Sequence, residues 1–281
     1  MIPAAFAYEV AESVDHAIGL LGERDEAKLL AGGHSLLPAM KLRLARPACL
    51  IDVGRLAGLS YVQEEGNSIA IGAMTRHKDV ADSSALQEHC PIVPYTAGQV
   101  GDPQVRHRGT IGGSLAHGDP ASDLPAVILA LGGELVARGP AGDRAIPARD
   151  FFTGVFQTAL AQDEMLVEIR VPKLGPERGW SYKKMSRRAQ DWATVAVAAV
   201  VERTNGSIDR ASIVLANMGG TPLHAAASQK AIADGASIAD AAAVASEGTD
   251  PPSDHAASAD FRLHLARVLT RRALEEAAAR T

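Results

Sequence analysis

Apolar positions recur at two spacings along the chain, and the switches between them outline its elements. Val14, Ala17, Ile18, Leu20 and Leu21 fall at helical spacing behind Ser13, a residue suited to capping a first turn. Lys28-Leu29-Leu30-Ala31 reads as a short buried strand, residues 40–44 as a helical turn and residues 49–53 as a second strand, giving a compact β–α–β-like unit. A new pattern starts near Leu59: a strand at 68–73, helices at 77–86, 92–100 and 124–131, and strands at 134–137 and 165–171. Residues 172–179, rich in proline and glycine, are the best linker candidate. Beyond them, 180–185, 193–202 and 207–216 predict three strands of a separate unit, with Asn205-Gly206 as a hairpin signal between the last two. Residues 222–233 and 259–279 predict helices, 233–245 reads as helix or packed loop, and 250–253 as a short exposed connection.

Composition narrows the function classes. Hydrophobic residues make up 47% of the 281, enough for one large domain or two of ordinary size. The formal net charge of -5 argues against nucleic acid as a partner. No apolar run reaches the length of a transmembrane segment, and Met1-Ile2-Pro3-Ala4-Ala5-Phe6 lacks the basic-then-apolar order of a signal peptide. Cys49 and Cys90 stand far apart in no CxxC pattern, so neither a thiolate metal cluster nor a disulfide framework is expected, and a cytoplasmic location is the simplest expectation.

Two glycine-rich segments carry the candidate chemistry. The first is Ala31-Gly32-Gly33-His34-Ser35-Leu36-Leu37-Pro38; the second is Thr110-Ile111-Gly112-Gly113-Ser114, running on to Gly118-Asp119-Pro120-Ala121-Ser122-Asp123. Glycine lets consecutive N–H groups turn inward as an anion-binding nest, and two nests suit a pyrophosphate, so a dinucleotide is the first ligand to consider. The GxGxxG fingerprint and the lysine-bearing phosphate loop are both absent, which argues against a nicotinamide-binding doubly wound fold. Taken singly, each Gly-Gly pair reads more readily as a turn than as a cofactor site.

In combination these words resemble the FAD-binding medium subunit of the molybdenum hydroxylase (xanthine dehydrogenase / carbon monoxide dehydrogenase) family. The resemblance runs through residues 31–41, Gly101-Asp102-Pro103-Gln104-Val105-Arg106, the second glycine segment, residues 119–125, Ser186-Arg187-Arg188-Ala189-Gln190-Asp191-Trp192-Ala193 and the stretch from Arg262 to Leu274. It implies an α+β chain. A two-lobed FAD-binding PCMH-type (vanillyl-alcohol-oxidase-like) domain at 1–175, with lobes of about 1–57 and 58–175, precedes a C-terminal α/β domain at 176–281 with a three-stranded antiparallel sheet.

The resemblance also implies roles. Leu29, Leu30, Ala31, Gly32, Gly33, His34, Ser35 and Leu36, with Thr110, Ile111, Gly112, Gly113 and Ser114, would wrap the pyrophosphate and ribityl chain, their amides and hydroxyls donating to phosphate oxygens. Asp123 would accept from sugar or ribityl hydroxyls, or be a plain helix cap. Lys183 would stand near the flavin, and since a strand points neighbours to opposite faces, only one of Lys183 and Lys184 should reach the cofactor. Leu166 would approach the ring through its backbone, and Trp192 would stack on one ring face where relatives have tyrosine. Arg106, His107 and Arg108 would bind FAD, meet a partner or lie in a solvated loop; Glu275, Glu276 and Arg280 read as a solvated helix face.

Since the redox chemistry belongs to the cofactor, no catalytic residue and no metal ligand is assigned. The implied partners are a large molybdopterin-binding subunit and a small subunit with two-iron two-sulfur clusters, in a dimer of heterotrimers passing electrons to NAD, a quinone or oxygen. The alternatives are a self-sufficient flavin oxidoreductase of the same fold and a flavin-free scaffold.

Overall fold

The structure, a computed structural model, describes residues 1–204 and 207–281. The hairpin signal at Asn205-Gly206 lies outside the described residues. Three short strands, β1 (Ala7–Val10), β2 (Ala27–Leu30) and β3 (Cys49–Asp52), form a parallel sheet in the order β1-β3-β2. Helix α1 (Val14–Glu23) joins the first two, with Ser13 accepting from the His16 amide at 3.0 Å as the pattern predicts. Helix α2 (Leu36–Lys41) starts directly behind the first glycine segment, four residues earlier than expected. Strand β1 was not expected, because Ala-Tyr-Glu-Val shows no alternation; its pairing with the buried Cys49, Leu50 and Ile51 makes it a strand.

A five-stranded antiparallel sheet follows, in the order β4 (Val62–Glu65), β5 (Ser68–Gly72), β10 (Met165–Pro172), β6 (Glu134–Gly139), β7 (Gly142–Pro147). Between β5 and β6 the chain makes six short helices: α3 (His77–Asp82), α4 (Ser84–His89), α5 (Ile92–Ala97), α6 (Pro103–Arg108), α7 (Ile111–His117) and α8 (Asp123–Ala130). The single helix expected at 77–86 is broken at Ser83, whose hydroxyl caps α4. The basic 106–108 stretch is not a loop but the last turn of α6, capped by Asp102. Every residue of α8 is buried, so this helix is the centre of the main core. Helix α9 (Ala148–Phe151) and the small β8 (Phe152–Gly154) and β9 (Gln157–Thr158) pair complete this part.

The C-terminal sheet has four strands where three were expected: β11 (Arg178–Met185), β12 (Val195–Thr204), β13 (Ser207–Ala216) and the two-residue β14 (Leu223–His224). Two pairings, Val214 with His224 and Leu215 with Leu223, add the short edge that sequence periodicity cannot register. Helices α10 (Ala226–Ala233), α11 (Ile238–Ala243) and α12 (Ala259–Ala278) cover one face. Strand β12 explains why. Val195, Val197, Ala199 and Val201 face α10 and α12, while Ala196, Ala198 and Val200 join the main core with Tyr182 and Val214. A strand buried on both faces reads as a continuous apolar run. The expected linker shrinks to residues 173–177, and the C-terminal part shares its core with the preceding sheet.

Candidate functional site

The first glycine segment leaves the carboxyl end of β2, where a parallel sheet opens a crevice. Gly33 has φ +75°, a backbone conformation that side chains oppose. Gly32 packs on the chain at Arg108 and Gly109: a Cβ there would meet the Arg108 carbonyl oxygen and lie 2.7 Å from the Gly109 Cα. Within this turn the Leu37 amide donates to the Gly33 carbonyl at 3.1 Å. Among the described residues, the amides of Gly32, Gly33, His34, Ser35 and Leu36 meet no acceptor in the chain. Unpaired N–H groups in a row need an acceptor from elsewhere. The exposed His34 turns back, its Nδ1 2.8 Å from the Gly32 carbonyl oxygen.

The second segment behaves differently: four of its five amides are taken up within the chain. Ile111 donates to the Thr75 carbonyl at 3.0 Å, Gly112 to Ala73 at 2.9 Å and Ser114 to Thr110 at 3.0 Å. Gly113 donates to the Thr110 hydroxyl oxygen at 3.1 Å, which caps α7. These amides anchor α7 to the end of β5. Gly112 is glycine because Ala73 occupies the space of a Cβ. The side chains left for a ligand are the hydroxyls of Ser114 and Thr110. The two segments do meet: a Cβ on Gly113 would lie 3.6 Å from that of Ala31, alongside the Gly32–Gly109 contact. The pattern therefore identified both segments but not which of them keeps its amides free.

Asp123 is the first residue of α8, one past the cap position at Ser122, and is 6% exposed. Its Oδ1 accepts from the Tyr182 hydroxyl at 2.6 Å and its Oδ2 from Lys184 Nζ at 3.0 Å. Burial pushes the Asp123 carboxyl above the usual range, against the pull of Lys184 and Tyr182. Burial and the neighbouring carboxylate push the Tyr182 hydroxyl well up. The alternation along β11 sorts the two lysines. Lys184 faces α8, whereas Lys183 and Ser181 face α12, where Lys183 pairs with Glu276 and Ser181 donates to it at 2.6 Å. Lys183 thus does not share a face with Asp123.

Glu276 also accepts from Arg280 at 2.7 Å, and Arg280 lies 3.8 Å over the Trp180 ring. The end of α12 is a clasp on β11, not the plain solvated face expected. Leu166 is buried in the main core, its backbone paired with Ala137 beside a register shift in β10. Trp192, in the β11–β12 connection, is 60% exposed and so is no part of a core.

Tyr182 and His77 escaped the sequence, and Lys184 was named there only as the alternative to Lys183. Lys184 and Tyr182 carry no local signal for a buried carboxylate distant in sequence. His77 is 3% exposed, packed on Gly109, with its Nδ1 unpartnered. Burial, aided by the positive charge of Arg106, pulls its pKa down to about 4, so it is neutral at pH 7.

Residues 4–174 match the FAD binding domain in molybdopterin dehydrogenase, and residues 180–277 match the CO dehydrogenase flavoprotein C-terminal domain. The chain belongs to the molybdopterin dehydrogenase FAD-binding family. The carbon monoxide dehydrogenase medium chain of Hydrogenophaga pseudoflava is 40% identical over 100% of this chain and 99% of its own length. The 6-hydroxypseudooxynicotine dehydrogenase complex subunit alpha of Paenarthrobacter nicotinovorans is 37% identical over 99% of this chain and 96% of its own. A solved carbon monoxide dehydrogenase from Hydrogenophaga pseudoflava superposes with a TM-score of 0.96 at 42% identity, covering 100% of this chain and 99% of that one. The free amides of Gly32–Leu36 and the tight seat of Gly32 fit the phosphate part of the cofactor after which this family's domain is called. No helix among the described residues is long and apolar enough to cross a membrane.

Proposed function

We propose that this chain is the FAD-carrying medium subunit of a multi-subunit molybdenum hydroxylase. It takes electrons from an iron–sulfur partner and passes them to an external acceptor. The observation that carries this reading is the row of unpaired amides from Gly32 to Leu36, held against the second glycine segment. Bound FAD supplies the electron-accepting and electron-donating chemistry. The chain's own residues hold it: the first segment donates amides to the phosphates, and Ser114 and Thr110 add hydroxyls from the second segment. Asp123 keeps acceptor capacity beyond its two present bonds, since a carboxylate offers about four lone-pair sites. Trp192, exposed in the β11–β12 connection, is the candidate to cover the ring, Leu166 to approach it through its backbone, and Lys183, paired with Glu276, to stand near the flavin.

Relatives named as medium chains or complex subunits favour this reading over a self-sufficient flavin enzyme. The partners are a large molybdopterin-binding chain and a small iron–sulfur chain, in a cytoplasmic dimer of heterotrimers with NAD, a quinone or oxygen as acceptor. The test is an absorption spectrum of the chain co-purified with those partners and desalted after FAD addition. Retained flavin bands that bleach on adding the complex's substrate support the proposal. A colourless complex, or flavin that bleaches with the isolated chain and substrate alone, refutes it.

A further inference from the structure

We infer that Arg76 is a phosphate-holding residue of this site, a cation set beside the amide row of Gly32–Leu36. The inference rests on the dinucleotide reading above and adds to it a charged side chain that neither glycine segment contains. Arg76 sits immediately before α3, bridged to Thr110 at the mouth of the second segment, and the adjoining His77 amide donates to the Gly109 carbonyl at 3.0 Å. Its Nη1 donates to the Arg108 carbonyl, the group against which Gly32 is packed. The guanidinium is therefore fixed at the seam between the two segments. That bond uses one of its five donors.

The charges around it are unbalanced. Among the described residues, Arg76, Arg106 and Arg108 form no ion pair. Arg106 is spent on the carbonyls of Val100 and Gly101. Asp79 and Asp52 are the carboxylates whose charge Arg76 feels, and Asp52 is taken by the Tyr8 hydroxyl at 2.5 Å and the Gly54 amide at 2.7 Å. Arg108 stands close enough that its charge, after burial, lowers the Arg76 pKa. A guanidinium held on the carbonyl against which Gly32 packs, with no ion pair of its own and a second guanidinium close enough to be felt, suits a group carrying more than one negative charge. A pyrophosphate meets that demand and an uncharged flavin does not.

The experiment titrates FAD, ADP and riboflavin into the full chain, stripped of flavin, for the unsubstituted protein, Arg76→Gln and Arg76→Lys. The expected result is FAD and ADP binding weakened about 10-fold to 100-fold in Arg76→Gln, the range of one charge-assisted hydrogen bond. Riboflavin binding stays unchanged, Arg76→Lys recovers part of the loss, and added salt narrows the gap between variants. FAD and ADP binding within twofold of the unsubstituted chain overturns the inference, as does an equal loss for riboflavin, which marks a folding defect. If the unsubstituted chain takes up neither FAD nor ADP, the dinucleotide reading itself fails. Loss confined to Arg76→Gln leaves that reading standing.

Discussion

Replacing Gly32 by alanine adds one methyl group at the point where the two glycine segments touch. That methyl would lie 2.7 Å from the Gly109 Cα and 2.9 Å from the Arg108 carbonyl carbon, and would press on the Arg108 oxygen. Carbon atoms rest at about 3.5–4.0 Å, so the segments must part by roughly 1 Å. No side chain can rotate away, because the atoms met are backbone, and Gly109 is held by its bonds to Val105 at 2.7 Å and His77 at 3.0 Å. Overpacking of this kind costs about 1–3 kcal/mol. Where the free chain relaxes by opening the seam, the same energy reappears as weaker binding, about 5- to 150-fold at 1.4 kcal/mol per decade. Thermal melting with and without FAD, together with a fluorescence titration, separates the two. Gly19→Ala is the internal control: it is exposed in α1 with nothing within 4 Å of its would-be Cβ, so it should gain about 0.5–1 kcal/mol from helix propensity. If Gly32→Ala melts and binds FAD like Gly19→Ala, the seam is not the tight contact described here.

The remaining predictions concern buried charge, pH and the exposed indole. His77 has a folded pKa of about 4 against 6.5 when unfolded, so between those values the unfolded chain binds the extra proton. Stability is therefore full above pH 6.5 and falls by up to ~3 kcal/mol as pH drops to about 4; urea unfolding across that window should show a shallower fall in His77→Gln, and an unchanged slope would refute the assignment. Asp123→Ala strands Lys184, 8% exposed, as a buried unpaired charge and should cost about 3–5 kcal/mol in urea unfolding. Asp123→Asn combined with Lys184→Met should recover much of that loss, and equal midpoints for the single and double variants would show that the pair is not coupled. Trp192→Ala should leave the melting temperature within about 0.5 kcal/mol equivalence, because the side chain is 60% exposed. Flavin fluorescence in the assembled complex should change, and an unmoved signal would exclude stacking.

What the sequence made legible follows from the range of the forces involved. Helix α1 was readable because its apolar stripe and its Ser13 cap are local. So was β12, whose unbroken apolar run reports burial on both faces. Strand β1 and the two-residue β14 were not, since each exists only through pairing with a strand distant in sequence. Of the six helices between β5 and β6, α3 and α4 read as one because the break at Ser83 lies inside continuous helical periodicity, while the short α6 and α7 were not expected at all. In the site, glycine marked both segments. It could not say that the amides of Ile111 and Gly112 are consumed by Thr75 and Ala73 while those of Gly32–Leu36 remain free, because that depends on where the end of β5 lies. The Lys183–Lys184 pair shows the same limit: alternation requires opposite faces, but only the positions of α8 and α12 decide which lysine meets which carboxylate.

The shared core bears on how the cofactor site is held together. The proposed phosphate cradle lies wholly before residue 120, yet Asp123 is satisfied by Tyr182 and Lys184 from β11. The inner face of β12, with Ala196, Ala198 and Val200, packs into the core around α8. Separating the chain at residues 173–177 would uncover that apolar face and strip two partners from a buried carboxylate at the start of α8. Both losses act on the helix that follows the second glycine segment. The C-terminal part is thus a structural component of the cofactor-binding half, and a fragment ending near residue 174 would have to fold α8 with neither its apolar cover nor the counter-charge of Asp123. The two family segments match separate stretches of sequence, but a shared core and the Asp123 contacts join them.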